Sequence, residues 1–318
     1  MTYPESHIDI VNKILQKEFN ETALSIERMT TGNCNEVYVA NLPSRSVIVR
    51  MNKNEFFLKG SDKHIPLLAS KGIQVPEVLA ADYSKDLVPF AYQIQSKTDG
   101  QDLHFVIASL SDEQLKDIAK EIARIFHTLE TIPTNGKYGW IGADESRLFD
   151  SWTQVLEKME RKTNEHNKKT GAVGEELLRE FKSLLTQYRS YFDSVPSTFY
   201  FDDLSAKNVL IKDGAFVGLV DLDDMAYGDP LEAVGRIQAC WFGTHYGDVY
   251  TQALEDELQL KEEQRKIVTV YAILNRIFWL SEKGIQFNEN TSTKIDPEVV
   301  FFDKQIIHKL LSKLKNEE

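Results

Sequence analysis

A chain of 318 residues with 42% hydrophobic and 27% charged residues is ordinary globular material, long enough for one large or two modest domains, which excludes a disordered or fibrous polymer. Its 37 basic and 49 acidic residues leave a formal charge of −12, which argues against nucleic acid as the main partner, because phosphate binding needs a basic face. Two cysteines, Cys34 and Cys240, without metal-ligand spacing predict free thiols rather than a zinc site, and no apolar run approaches the length of a membrane span.

Along the chain, Ile8, Val11, Ile14 and Leu15 fall at helical spacing, so an amphipathic helix is predicted over residues 7–19. Three strands follow, Leu24 to Met29, Val37 to Asn41 and Ser46 to Met51, the last two joined by the turn-forming Leu42-Pro43-Ser44-Arg45. Phe56 to Lys71 reads as a helix interrupted near Pro66, and Gln74 to Leu79 and Pro89 to Gln95 as further strands. After Gly100 the texture turns helical. Ser111-Asp112-Glu113-Gln114 has a capping-box pattern, and behind it Leu115, Ile118, Ile122, Ile125, Phe126 and Leu129 form one apolar stripe. His127 within that stripe reads as a core histidine. Residues 151–193 are helical and highly charged, with a loop at Lys168 to Gly174. Val209 to Lys212 and Phe216 to Val220 flank Asp213-Gly214, a hairpin signal, and Leu231 to Leu314 is mostly helical. The expected division is a β-rich lobe over residues 1–96 and a helical lobe over 97–318. Met1-Thr2-Tyr3-Pro4-Glu5 shows neither a basic n-region nor an apolar h-region, so the expectation is a cytoplasmic protein with no membrane partner, a monomer or weak dimer.

The most informative stretch is FYFDDLSAKNVLIKDGAFVGLVDLDDMAYGDP, residues 199–230. It carries Asp203, then Asn208 five residues later, then Asp221 beyond a short hairpin. Phosphoryl transfer needs such a set. A carboxylate must orient the attacking hydroxyl and accept its proton. An amide oxygen and a second carboxylate must hold Mg²⁺ against the nucleotide phosphates. A lone Asp or Asn in a turn would only serve local hydrogen bonding. Three such residues in register about a hairpin point to chemistry.

On these residues the chain resembles the aminoglycoside phosphotransferase and choline kinase family, which shares the protein-kinase-like fold. Asp203-Leu204-Ser205-Ala206-Lys207-Asn208 matches the catalytic loop, Val220-Asp221-Leu222-Asp223 the second motif, and Gly228-Asp229-Pro230 a segment often found after it. Two letters depart: the family's His-Gly before the aspartate is Phe201-Asp202 here. The resemblance implies an α+β, two-lobed fold with a small antiparallel β-rich N-lobe. It implies Asp203 as the catalytic base and Asn208, Asp221 and Asp223 as Mg²⁺-site residues. ATP or GTP is the implied donor, and the hydroxyl of a small molecule, an aminoglycoside-like antibiotic or an amine or sugar metabolite, the implied acceptor.

The family's nucleotide-covering loop falls on Thr30 to Tyr38, where Gly32, Asn33 and Asn35 would let backbone N–H groups approach phosphate. Arg50 stands on the strand that supplies the phosphate-binding cation. The helix glutamate that normally orients this cation has no obvious counterpart, and Asp62 lies nearest its place. Gln95, Ser96 and Lys97 fall on the interlobe linker that meets the base. For the acceptor, Asp202, Asp224 and Glu232 add negative charge suited to an amine-bearing molecule, and Trp241 and His245 offer aromatic lining. Two alternatives stand beside this reading. A protein kinase should carry Asp-Phe-Gly where Asp221-Leu222-Asp223 stands, and also an Ala-Pro-Glu segment. A non-catalytic nucleotide-binding module is suggested by Phe201 and by the missing partner of Arg50.

Overall fold

The computed structural model describes residues 5–30, 32, 34–204, 207–288 and 290–316. Helix α1 (Glu5–Phe19) precedes a five-stranded antiparallel sheet in the order β1-β2-β3-β5-β4, made of β1 (Ser25–Met29), β2 (Glu36–Asn41), β3 (Ser46–Asn52), β4 (Val78–Asp82) and β5 (Ala91–Ser96). The strand period decides what each face does. Val47, Val49 and Met51 of β3 point to one face and form a core with Val11, Ile14 and Leu15 of α1. Arg50 therefore points to the other face, where helix α2 (Phe56–Ser70) covers it, and it is only 4% exposed.

Helix α2 runs unbroken through Pro66, contrary to the expected interruption. Pro66 removes one helical hydrogen bond, but Leu58, Ile65 and Leu68 on the same helix are buried and hold it in place. The expected strand at Gln74 starts only at Val78, because the Gln74 carbonyl instead accepts from the Leu219 amide at 2.9 Å.

The linker after β5 leads to β6 (Gln101–Asp102), the short α3 (Leu103–Val106) and α4 (Asp112–Glu130). The capping box is formed: the Gln114 amide donates to Ser111 Oγ at 3.2 Å and the Ser111 amide to Gln114 Oε1 at 2.9 Å. The predicted stripe of α4 is buried, but His127 faces solvent beside Glu130, one residue off that stripe. After β7 (Gly139–Ile141) come α5 (Trp152–Thr170), α6 (Glu175–Gln187), α7 (Arg189–Ser194) and β8 (Thr198–Tyr200). The hairpin is β9 (Val209–Lys212) and β10 (Ala215–Leu219), turned by Asp213 and Gly214 at φ 52° and 80°, the left-handed pair that a two-residue turn requires. Strand β11 (Met225–Gly228) sits between β7 and β8, and β9 between β10 and β6. Helices α8 (Leu231–Trp241), α9 (His245–Glu257), α10 (Glu262–Ser281) and α11 (Pro297–Asn316) complete the larger part. The small antiparallel sheet and the larger helical part make the α+β, kinase-like architecture expected from the sequence. No helix among the described residues is long and apolar enough to cross a membrane.

Candidate active site

The hairpin places the predicted set. Leu204 and Val209 are buried at either end of the loop that carries Asp203 and Asn208, and the Val220 amide donates to the Asn208 carbonyl at 3.0 Å, closing the hairpin base. Asn208 Nδ2 donates to Asp203 Oδ2 at 2.7 Å and to the Asp203 carbonyl at 3.0 Å. Among the described residues its amide oxygen has no partner. Asp221 follows β10 in the left-handed region, φ 61°, which turns its side chain into the cleft. Asp203 and Asp221 thus line one concave cleft of about 190 Å³.

The two departing letters have physical explanations. Phe201, at the usual histidine position, is buried in the large core. Asp202, at the usual glycine position, is 6% exposed and compensated from two sides: Trp140 Nε1 donates to Oδ2 at 2.8 Å, and Arg236 Nη2 lies 3.2 Å away. Burial lifts the Asp202 pKa to about 6, Arg236 holding it back and Glu232 and Asp203 adding to the rise. Arg236 also pairs with Glu232 at 2.7 Å and approaches Asp203 Oδ1 at 3.8 Å, so one guanidinium serves three carboxylates beneath the cleft.

Arg50 stands behind Asp221 and Asp223 on the opposite side. Its Nη1 donates to Asp223 Oδ1 at 3.0 Å and to Ser61 Oγ at 3.3 Å, and its Nη2 donates to Asp221 Oδ1 at 2.5 Å and to Asp223 Oδ2. Burial disfavours the Arg50 charge, but Asp223 and Asp221 outweigh it and push its pKa up. Partial loss of water at the cleft wall lifts the Asp221 carboxyl above the usual range, against the pull of Arg50 and with Asp223 and Asp203 adding to the rise. Asp62 does not reach Arg50. Its carboxylate accepts from Tyr83 Oη and Gln93 Nε2, both at 2.8 Å. The acid beside Arg50 comes from Asp223 instead, more than 170 residues along the chain.

The donor set fits magnesium. Among the described residues Asn208 keeps its amide oxygen, and the Asp221 side chain is 52% exposed with one oxygen bound to Arg50. Both are hard oxygen donors. Among the described residues no group of three or more His, Cys, Asp or Glu could hold a metal alone. Magnesium at such a site takes its remaining ligands from phosphate and water.

Other predicted residues are placed as follows. Asn35 is buried, its amide donating to Asp223 Oδ2 at 3.0 Å and the Phe57 carbonyl at 3.1 Å, so it braces the loop. The Gly32 carbonyl accepts from Asn288 and Asn290 at 3.2 and 2.6 Å. Asn33 lies outside the described residues. Gln95 is buried and donates to Gln93 at 2.5 Å, while Ser96 pairs with Glu77 through both backbone and hydroxyl, leaving Lys97 exposed at the linker. Asp224 lines the cleft and accepts no hydrogen bond among the described residues; partial loss of water there, with Asp202, Asp223 and Asp221 nearby, lifts its carboxyl above the usual range.

Three acceptor candidates are not brought there. Glu232 is buried against Arg236, Asn275 and Tyr200. Trp241 packs in the core on Tyr250, and His245 faces Asp112 of α4 at 2.9 Å. Nearness to the motif in sequence had suggested them, but α8 carries the chain away from the cleft. Conversely, Trp140, Phe57, Ser61 and Arg236 border the site without having been singled out. Trp140 sits on a three-residue strand with no periodicity to read. Arg236, four residues after Glu232 on an α-helix, had a readable i,i+4 signal.

A family model described as the phosphotransferase enzyme family matches residues 27–265. No curated protein sequence matches the chain. Among solved structures, a thermostable mutant of aminoglycoside phosphotransferase APH(4)-Ia in its apo form superposes with a TM-score of 0.70 at 13% identity, covering 96% of this chain and 98% of that one. The streptomycin–ATP–APH(2″)-IIa ternary complex gives 0.64 at 13% identity, over 97% of each chain. A putative fructosamine-3-kinase from Haemophilus somnus 129PT gives 0.62 at 16% identity, over 95% and 96%.

Proposed function

The chain belongs to the phosphotransferase enzyme family, and from that premise we propose that it transfers the γ-phosphoryl group of ATP, with Mg²⁺, to a hydroxyl of a small, amine-bearing molecule. The observation that carries the reading is that Asp203 and Asp221 line one cleft, with Asn208 hydrogen-bonded to Asp203 and Arg50 to Asp221 behind them. Asp203 orients the acceptor hydroxyl and takes its proton, its carboxylate fixed by Asn208 on one oxygen and steadied by Arg236 near the other. The Asn208 amide oxygen and Asp221 would hold the magnesium, which supplies charge neutralisation for the transferring phosphoryl group. Arg50 faces the phosphates from β3. The linker at Gln95 to Lys97 meets the base through its backbone.

Asp224, open to the cleft and without a hydrogen-bond donor among the described residues, supports a cationic group on the acceptor, with Trp140 lining the same cleft. The fold neighbours include one solved with streptomycin and ATP and one described as a fructosamine kinase, both consistent with an aminoglycoside-like or amino-sugar acceptor.

The test is an ATP-consumption screen against aminoglycosides, macrolides, choline and common sugars, repeated with Asp203→Ala on whichever acceptor responds. Turnover by the wild type and a fall of about 10²–10⁴ in the variant are expected. Wild-type-like turnover by Asp203→Ala would remove that residue from the mechanism.

A further inference from the structure

We propose that Asp223 is the positioning acid of Arg50 and not a magnesium ligand. This sequence has moved the acid that orients the phosphate-binding cation from helix α2 into the segment after the hairpin. The inference rests on the phosphotransfer reading and assigns one residue within it.

In kinases the strand cation is normally held by a glutamate on the neighbouring helix. Here that helix presents Gly60 and Ser61 to the site, and its one nearby acid, Asp62, is turned to Tyr83 and Gln93. Asp223 meets Arg50 in the two-pronged geometry that suits guanidinium and carboxylate, Nη1 to Oδ1 and Nη2 to Oδ2. Its remaining capacity is taken too: Ser61 Oγ donates to Oδ1 and Asn35 Nδ2 to Oδ2. A carboxylate offers about four acceptor positions, and all four of Asp223 point at protein donors. Asp221 has one oxygen bound to Arg50 and half its side chain open to the cleft. The two acids of Asp221-Leu222-Asp223 therefore do different work, one facing the metal and one facing the cation.

The helix is shaped for this exchange. A Cβ on Gly60 would stand 1.7 Å from the Asp223 carbonyl oxygen, so α2 rests directly on the Asp223 backbone and leaves no room for a longer side chain there. Ser61 is short enough to complete the cage. His64, one turn on, holds the Leu222 carbonyl at 3.0 Å.

Three proteins test this: Asp223→Asn, Asp221→Asn, and the relocated pair Ser61→Asp with Asp223→Ser. ADP affinity is measured calorimetrically in EDTA, where no metal takes part, and the Mg²⁺ concentration for half-maximal nucleotide turnover is measured separately. Asp223→Asn should weaken metal-free ADP binding about 10–100-fold, the usual effect of removing a partner that orients a ligand-holding group, and leave the Mg²⁺ requirement within about twofold. Asp221→Asn should do the reverse. The relocated pair should regain most of the lost ADP affinity. The proposal is overturned if Asp223→Asn binds ADP normally in EDTA yet needs far more Mg²⁺, as Asp221→Asn does. If Asp223→Asn does not fold, the relocated pair decides alone: a folded protein with near-wild-type ADP affinity supports the exchange, and loss of folding or of affinity overturns it. A wild type that binds no nucleotide at all would sink the phosphotransfer reading itself, an outcome separate from any variant's behaviour.

Discussion

His64 is fully buried on α2, with Nδ1 on the Leu222 carbonyl and Nε2 without a hydrogen-bond partner among the described residues. Donation to a carbonyl fixes the neutral Nδ1–H tautomer. Burial is the main reason its pKa falls from 6.5 to about 4, with Lys63 adding to the fall and the Leu222 carbonyl opposing it. The unfolded chain therefore binds a proton near pH 6.5 that the folded chain refuses until about pH 4. Between those values stability drops as pH falls, by roughly 2 kcal/mol at pH 5 and on the order of 3 kcal/mol at pH 4. The lifted carboxyls of Asp202, Asp221 and Asp224 act in the opposite sense, losing stability as pH rises. A difference measurement separates them. Urea unfolding of wild type and His64→Gln from pH 7 to pH 4.5 should show the wild-type advantage shrinking as acid is added; an advantage constant with pH would show that His64 already titrates in the folded protein.

At this scale the sequence showed what lies close along the chain. Asp203, Asn208 and Asp221 were legible because one loop and one hairpin contain them. The partner of Arg50 was not, because Asp223 reaches it only after two lobes fold together and no local spacing records that meeting.

Among elements, α2 carries the sharpest constraint. Gly60 is helical, and replacing a helix-interior glycine by alanine ordinarily stabilises by about 1 kcal/mol. Here the added methyl would meet the Asp223 carbonyl oxygen at 1.7 Å, and backbone cannot swing aside as a side chain can. Overpacking typically costs about 1–3 kcal/mol, sometimes more, so the steric effect wins. Gly60→Ala should lower the urea midpoint and weaken ADP binding together, since it pushes α2 off the segment that holds Arg50. A variant as stable as wild type would mean that α2 does not rest on Asp223. The capping box, the apolar stripe of α4 and the Asp213-Gly214 turn were readable because each is a rule of three to five neighbouring residues. Strands β7, β8 and β11 were not: each has three or four residues, too few for an alternation to emerge, and their pairing is with strands distant in sequence.

Across the whole molecule, two apolar cores are separate, one under the five-stranded sheet and one through the helical part. Helix α2 lies within the sheet's stretch of sequence, but Ile65 and Leu68, with Ile73 just beyond, belong to the larger core. Ser61 and His64 bond to the segment after the hairpin, and the Gln74 carbonyl accepts from β10. Apolar burial and the Ser61 and His64 hydrogen bonds tie α2 to the helical part, while Asp62 bonds to Tyr83 and Gln93 on the sheet side and Arg50 of β3 meets α2 at Ser61. If the apolar ties prevail, an opening between sheet and helical part breaks the Asp62 bonds, leaves α2 behind and pulls Arg50 from Asp223. Local opening energies report such membership, because contiguous units exchange amide hydrogens together. Hydrogen exchange over a urea series should place the amides of α2 with those of β9, β10 and α4, and above those of β1 to β3. Exchange of α2 in step with β1 to β3 would show that the helix travels with the sheet, and the Arg50–Asp223 pair would then be strained by every opening of the helix as well as of the strand.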